Sequence, residues 1–148
     1  MNKIFTNTLA RNTISGSVLT LLLFLALTFG TVRTLPERDH RENLTPIVAL
    51  GKAVWEQNNC IGCHTLLGEG AYYAPELGNV YQRIKQQTNE PHALLFIKAW
   101  VGVMPTEAPM RRQMPNFNLS EEELEALVAF LKWTSEVNTA DWPPNIEG

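Results

Sequence analysis

The longest uncharged stretch of the chain, residues 12–32, strongly limits what its N-terminal part can become. No charged residue lies between Arg11 and Arg33, and leucine, phenylalanine, valine and alanine dominate the second half of the stretch. About 20 apolar residues in a helix span the hydrocarbon core of a bilayer. A secretory signal peptide has a shorter apolar region, roughly 7–15 residues, and ends at a small-x-small cleavage site. No clear Ala-x-Ala follows here, so the pattern predicts an uncleaved, single-pass transmembrane anchor at residues 12–33.

The charges on the two sides of this anchor differ. The N-terminal tail, residues 1–11, carries basic but no acidic side chains, whereas the segment after Arg33 mixes both signs. Uncompensated positive charge favours the cytoplasmic side of a membrane. We therefore expect a cytoplasmic tail, a polar connector at residues 34–43, and a globular domain at residues 44–148. That domain is expected outside the bacterial inner membrane, in the periplasm.

Charge and cysteine content exclude two classes of protein. The net charge is −3 and there is no long run of lysine or arginine, which argues against nucleic-acid binding. Both cysteines lie in one short motif, so a disulfide framework is excluded. After Arg33 the chain carries nine Lys and Arg against 15 Asp and Glu. This acidic balance favours a soluble partner that docks with a positively charged face.

Helix signals occur throughout the domain, and no stretch alternates convincingly between apolar and polar residues as a half-buried strand would. Thr45 followed by Pro46 is typical of an N-cap and the first residue of a helix. A second helix is predicted at residues 79–87, and a third begins at Pro91 with Asn89 nearby as its cap.

The last helix has the strongest signal. Ser120 and Glu123 have the spacing of a capping box, in which each side chain bonds the other residue's backbone N–H. Apolar residues then recur at the i, i+3, i+4, i+7 spacing of a buried helix face: Leu124, Leu127, Val128 and Leu131. The domain is therefore predicted to be all-α.

The two cysteines and a histidine form a CxxCH motif, Cys60-Ile-Gly-Cys63-His64. This spacing is typical of covalent heme c attachment, in which the thiols add to the heme vinyl groups and the histidine binds the iron. A redox dithiol would be expected near a βαβ pattern, and a zinc site would need a second Cys/His pair at useful spacing. Neither is found, so the motif predicts one covalent heme c with His64 as an axial ligand.

Three methionines and one histidine are candidates for the second axial position: Met104, Met110, Met114 and His92. Histidine and methionine together are a common ligand pair in electron-transfer cytochromes. Met114 and residues 115–117 resemble the Met-Pro-x-Phe loop of class I cytochromes c, so Met114 is the predicted ligand. With both positions filled, the iron would have no vacant site for nitric oxide or oxygen. The arginine pair at residues 111–112 is a candidate partner for a heme propionate.

Two longer segments are more specific than the heme motif. Residues 63–80, CHTLLGEGAYYAPELGNV, and residues 102–117, GVMPTEAPMRRQMPNF, resemble the cytochrome c subunit of bacterial nitric oxide reductase. The resemblance covers nearly the whole chain, from the short tail and the single anchor to the heme domain.

This resemblance implies a non-catalytic role in a larger complex. Subunits of this family accept electrons from a soluble periplasmic cytochrome c or cupredoxin. They pass them to a large membrane subunit that contains heme b and a heme b–non-heme iron pair, and that reduces two nitric oxide molecules to nitrous oxide in denitrification. The family also has a calcium ion at the subunit boundary, which implies backbone ligands at Gly70 and Tyr72.

Three other functions share parts of the pattern. A cytochrome c subunit of a cbb-type oxidase, or a free membrane-tethered shuttle, would have the same anchor, heme motif and methionine. A heme-based sensor of nitric oxide would need an open or labile sixth position. A purely structural anchor would stabilise a large subunit without carrying electrons. The run at residues 70–75 and the single heme motif favour the reductase over the oxidase.

Overall fold

The computed structural model describes residues 3–104, 113–140 and 142. In these ranges the chain forms five α-helices and one two-stranded hairpin. The elements are α1 (Lys3–Arg38), α2 (Pro46–Gln57), β1 (Thr65–Leu66), β2 (Glu69–Gly70), α3 (Val80–Gln87), α4 (Glu90–Gly102) and α5 (Glu121–Thr134). The helical fold class is confirmed, and the hairpin is an addition that the sequence pattern did not predict.

The chain divides into two compact units, residues 1–37 and residues 38–148. Within the described ranges, α1 is the one helix long and apolar enough to cross a membrane. It runs on through Pro36 to Arg38, so the first part of the predicted connector at residues 34–43 is helical. A proline within a helix removes one backbone hydrogen bond. Here the loss falls close to the helix end, where few backbone bonds remain to be broken.

The core of the second unit lies where α2 crosses α5. Gly51 of α2 packs against the backbone of Ala126 so closely that an added Cβ would overlap its carbonyl group. Next to this crossing, the rings of Trp55 and Phe130 lie 6.2 Å apart. The four apolar residues predicted to form the inner face of α5 are all buried. Residues of α3 and α4 complete the core, namely Tyr81, Ala93, Ile97 and Val101.

The helix starts follow the predicted capping residues, with one difference. Ser120 and Glu123 form the complete capping box at the start of α5, and Asn89 accepts a hydrogen bond from the His92 N–H at the start of α4. Thr45 is the N-cap of α2, as predicted, but its side chain makes no capping hydrogen bond. The fixed φ of Pro46 at the first helical position favours this start without such a bond.

Candidate heme-attachment site

The CxxCH motif begins directly after α2, in a tight turn. Asn59 adopts a left-handed conformation with φ of 51°, and Cys60–Gly62 then form one turn of 3₁₀-helix. The N–H of His64 donates to the carbonyl of Cys60 at 2.9 Å, which closes the turn and brings the motif's first and last residues together. Cys60 is buried and Cys63 is exposed, and the two do not form a disulfide.

Burial raises the pKa of the Cys60 thiol to about 11. The described residues also include no group of three or more His, Cys, Asp and Glu side chains that could hold a metal ion.

His64 is oriented by a backbone carbonyl. Its Nδ1 lies 2.7 Å from the carbonyl oxygen of Pro75. Because a carbonyl oxygen only accepts hydrogen bonds, Nδ1 must carry the proton and donate it. Nε2 then presents its lone pair, which is the form of imidazole that binds a metal, and the hydrogen bond at Nδ1 makes it a more basic ligand. The ring lies 6.4 Å from that of Trp55.

The hairpin and the loop after it wrap around the motif. Leu66 pairs with Glu69 in the hairpin, and both residues of the connecting loop, Leu67 and Gly68, have positive φ, as the two-residue turns of tight hairpins require. The chain then returns along the motif through four backbone hydrogen bonds: Ala71 N–H to Ile61, the N–H groups of Tyr73 and Ala74 to Cys63, and Leu77 N–H to Thr65. The loop thus brings Pro75 to His64.

Gly70 and Tyr72, the two residues predicted as calcium ligands, lie in this returning segment. Gly70 has φ of 119°, and an added Cβ would overlap the carbonyl of His64 and the side chain of Ile61. The glycine is therefore needed for close approach to the heme motif. Tyr72 is 82% exposed and lies on the surface beside that motif. Both residues are placed by the same hydrogen-bonded loop.

Glu76 is a residue of the site that the sequence analysis did not identify. It is only 5% exposed, and its Oε1 accepts hydrogen bonds from the N–H groups of Leu67 and Gly78, each at 2.8 Å. Its own carbonyl accepts a bond of 2.6 Å from the Arg83 guanidinium. In the sequence, no local pattern distinguishes Glu76 from the solvated acidic residues, since Glu37 also directly follows a proline and Glu69 also lies close to the heme motif.

The two described methionines, Met104 and Met114, lie in segments that are joined by a hydrogen bond. Met114 is partly buried and packs against the apolar core that includes Cys60. Met104 is 8% exposed, and its carbonyl accepts a 2.6 Å hydrogen bond from the Asn116 side chain. Met110 and residues 111–112 lie outside the described residues. Met114 as the sixth ligand thus stays a prediction.

The donors present fit a covalent heme c. The motif supplies two thiols in a tight turn and a histidine whose Nδ1 is bonded to a backbone carbonyl, and the thioether of Met114 packs against the same apolar core as Cys60.

Comparison with known proteins agrees with this chemistry. The cytochrome c family model matches residues 48–135. The chain is similar to the C subunit of nitric oxide reductase from Stutzerimonas stutzeri, with 53% identity over the full length of both proteins. It is also 47% identical to the C subunit of nitric oxide reductase from Paracoccus denitrificans, again over both full lengths. The chain belongs to the family of nitric oxide reductase C subunits.

A third relative matches only part of the chain. Cytochrome c oxidase subunit 2 of Alkalihalophilus pseudofirmus is 32% identical, but only over 55% of this chain and 24% of that protein. That likeness is partial, whereas the reductase C subunits match from the anchor to the C-terminus. The resemblance seen in residues 63–80 and 102–117 is confirmed.

Proposed function

We propose that this chain is the electron-transfer subunit of a nitric oxide reductase, and that it relays electrons to a catalytic membrane subunit. The observation that carries the proposal is the geometry of His64. Its Nδ1–H donates a hydrogen bond to the Pro75 carbonyl, so Nε2 is the ring nitrogen available to bind iron. His64 also directly follows, in the sequence, two cysteines at the spacing of heme attachment. The full-length likeness to reductase C subunits supports the choice of complex.

Each residue of the site has a distinct task in this proposal. Cys60 and Cys63 would hold the porphyrin through thioether bonds, and His64 and Met114 would supply the protein ligands of its iron. A heme c held in this way supplies one-electron exchange between ferric and ferrous iron. The Pro75 carbonyl keeps the imidazole in one orientation and tautomer, so little rearrangement accompanies the change of charge. With both protein ligands bound, the iron would have no position free for nitric oxide.

The chemistry of the complex sets how often this relay operates. Reduction of two nitric oxide molecules to nitrous oxide and water consumes two electrons and two protons. A chain with a single heme transfers one electron at a time and must therefore be reduced and reoxidised twice in each turnover. We propose a soluble cytochrome c or cupredoxin as donor, and a large subunit with heme b and non-heme iron as acceptor.

The proposal includes a position at the membrane. The helix α1 would cross the inner membrane with its N-terminus in the cytoplasm, and the heme domain would lie in the periplasm. A calcium ion shared with the large subunit would take the backbone carbonyls of Gly70 and Tyr72. Calcium accepts such neutral oxygen ligands. The described residues include no group of three or more acidic, histidine or cysteine side chains that could hold a metal ion, and we propose that the partner supplies the other ligands.

The test is an optical and EPR spectrum of the detergent-purified complex, combined with metal analysis. We expect low-spin heme c on this chain, together with heme b and non-heme iron but no copper in a large subunit that copurifies. Copper instead of non-heme iron would support the oxidase alternative, and heme c without a large subunit would support a tethered shuttle. Stoichiometric binding of nitric oxide to the native heme c would contradict electron transfer and favour a sensor.

A double variant of the two cysteines separates electron transfer from a purely structural role. In Cys60→Ala/Cys63→Ala the heme cannot attach, while α1 and its flanking residues are unchanged. We expect this chain to support no electron input from the donor, even where the large subunit still assembles. Normal nitric oxide reduction by a complex that contains the double variant would contradict the proposal.

A further inference from the structure

The geometry points to Glu76 as a positioning residue for the heme ligand His64. The inference rests on the proposed role of His64 as an iron ligand. It concerns how the Pro75 carbonyl, which fixes that ligand, is itself held in place.

Pro75 cannot fix its own position, because proline has no backbone N–H to donate. Its carbonyl nevertheless lies 2.7 Å from His64 Nδ1, so its neighbours must hold it. On the N-terminal side, the Ala74 N–H donates to the carbonyl of Cys63 at 2.9 Å. On the C-terminal side is Glu76, which shares the peptide plane of the Pro75 carbonyl.

Glu76 is bonded at both its side chain and its backbone. Its Oε1 accepts from the N–H of Leu67, in the turn of the hairpin, and from that of Gly78. Its carbonyl accepts from Arg83 of α3 at 2.6 Å. These bonds join the hairpin turn, the returning loop and α3 at one residue. Loss of the carboxylate would leave two backbone donors without their partner and free the peptide that carries the Pro75 carbonyl.

The neighbouring glycine offers a second way to move the same group. A Cβ added at Gly78 would lie 2.6 Å from Glu76 Oε1 and 2.9 Å from the Leu67 nitrogen. Gly78→Ala would therefore displace the carboxylate from its two donors without removing its negative charge. Glu76→Gln does the opposite, because an amide oxygen accepts the same bonds while the charge is lost. Glu76→Ala removes both the acceptor oxygen and the negative charge.

The consequence for the heme follows from the hydrogen bond at Nδ1. A strong bond to a carbonyl makes the imidazole a more basic ligand, and a more basic ligand stabilises ferric over ferrous iron. When the Pro75 carbonyl is free to move, this bond weakens. The heme potential should then rise, and the Nδ1 proton should exchange faster with water.

The test is ¹⁵N NMR of the reduced, full-length holoprotein in detergent, with selective labelling of histidine. Only three histidines occur in the chain, so the His64 ring signal is readily resolved. We expect the Nδ1–H of Glu76→Ala and Gly78→Ala to exchange about tenfold faster, the factor that corresponds to one lost hydrogen bond. Glu76→Gln should keep the wild-type rate. The potential of Gly78→Ala should rise although its charge is unchanged.

Controls make each outcome decisive. Ser120→Ala weakens the start of α5, far along the chain, and should leave the exchange rate of the His64 Nδ1 proton unchanged. If this variant accelerated exchange as much as Glu76→Ala does, general loss of stability would explain the effect and the inference would be overturned. Wild-type exchange in Glu76→Ala would also overturn it, as would a shift shared by both Glu76 variants but absent from Gly78→Ala. If Glu76→Ala fails to fold, Gly78→Ala and Glu76→Gln decide. A wild-type heme without histidine ligation would instead refute the proposed function.

Discussion

Gly51 of α2 lies directly against the backbone carbonyl of Ala126 in α5. No side chain separates the two helices at this point, so their backbones approach as closely as the residues allow. The crossing holds Trp55 against Phe130 one turn further along α2, next to the ring of His64. The α2–α5 crossing therefore adjoins the proposed heme ligand through the ring of Trp55.

Gly51→Ala should destabilise the domain by about 1–3 kcal/mol, because the added methyl group overlaps backbone that cannot rotate away. Urea unfolding of the holoprotein, followed by heme absorption and circular dichroism, measures the loss. Gly102→Ala is the matched control: its added Cβ would lie 3.5 Å from Leu124, an ordinary contact. Equal stability of both variants would show that α2 and α5 tolerate separation.

Ser120→Ala should cost about 1 kcal/mol of unfolding free energy. The Ser120 hydroxyl accepts from the N–H of Glu123, and the Glu123 carboxylate accepts from the N–H of Ser120 at 2.7 Å. Thr45→Ala is the comparison, since Thr45 is also an N-cap but makes no side-chain capping bond. We expect its loss to be clearly smaller in the same thermal unfolding assay. A reversed order would mean that the capping box contributes little.

Met114→Ala should open the sixth coordination position, whereas Met104→Ala should not. Met114 packs against the core that includes Cys60, and Met104 is buried at the end of α4. The first variant is expected to lose the methionine-to-iron charge-transfer absorption and to bind carbon monoxide. Met104→Ala should keep the charge-transfer absorption and should not bind carbon monoxide. It should lose about 2–3 kcal/mol of unfolding free energy, because the truncated side chain leaves a cavity. The opposite pattern would identify Met104 as the ligand.

What the sequence predicted well is governed by local interactions. The capping box, the Asn89 cap and the inner face of α5 depend on residues within two helical turns of one another, so their spacing is sufficient to identify them. The heme motif is likewise contained in residues 60–64. Its chemistry could be inferred without knowledge of the fold.

What the sequence did not predict depends on contacts between distant segments. Strands of two residues are too short to show periodicity, and the hairpin is held by the close approach of Gly70 to His64 and Ile61. In the sequence Glu76 resembles the other acidic residues, and only the structure shows that the N–H of Leu67 in the hairpin turn donates to its carboxylate. The helical continuation through Pro36 also escaped prediction, because a proline near a helix end costs little.

The final prediction concerns acid stability and the carboxylate of Glu90 at the start of α4. Lys132 of α5 donates to this carboxylate at 2.6 Å, and Lys85 of α3 lies 3.3 Å away. Lys132 first, then the Tyr81 hydroxyl and Lys85, lower the pKa of Glu90 to about 2. The ring of Tyr81 lies below both ammonium groups, at 5.4 and 5.6 Å.

The folded protein thus holds this carboxylate ionised at a lower pH than the unfolded chain does. Its contribution to stability is complete above a pH of about 4.5, the ordinary pKa of a glutamate, and disappears as the pH falls toward about 2. Glu90→Gln should therefore lower the melting temperature at pH 6, and the difference from wild type should shrink steadily below pH 4.5. Because all three charged groups are partly exposed, high salt should reduce the difference as well. In a Lys132→Met background, Glu90→Gln should have much less effect at every pH. A difference that is independent of pH would assign the role of Glu90 to helix geometry rather than to its charge.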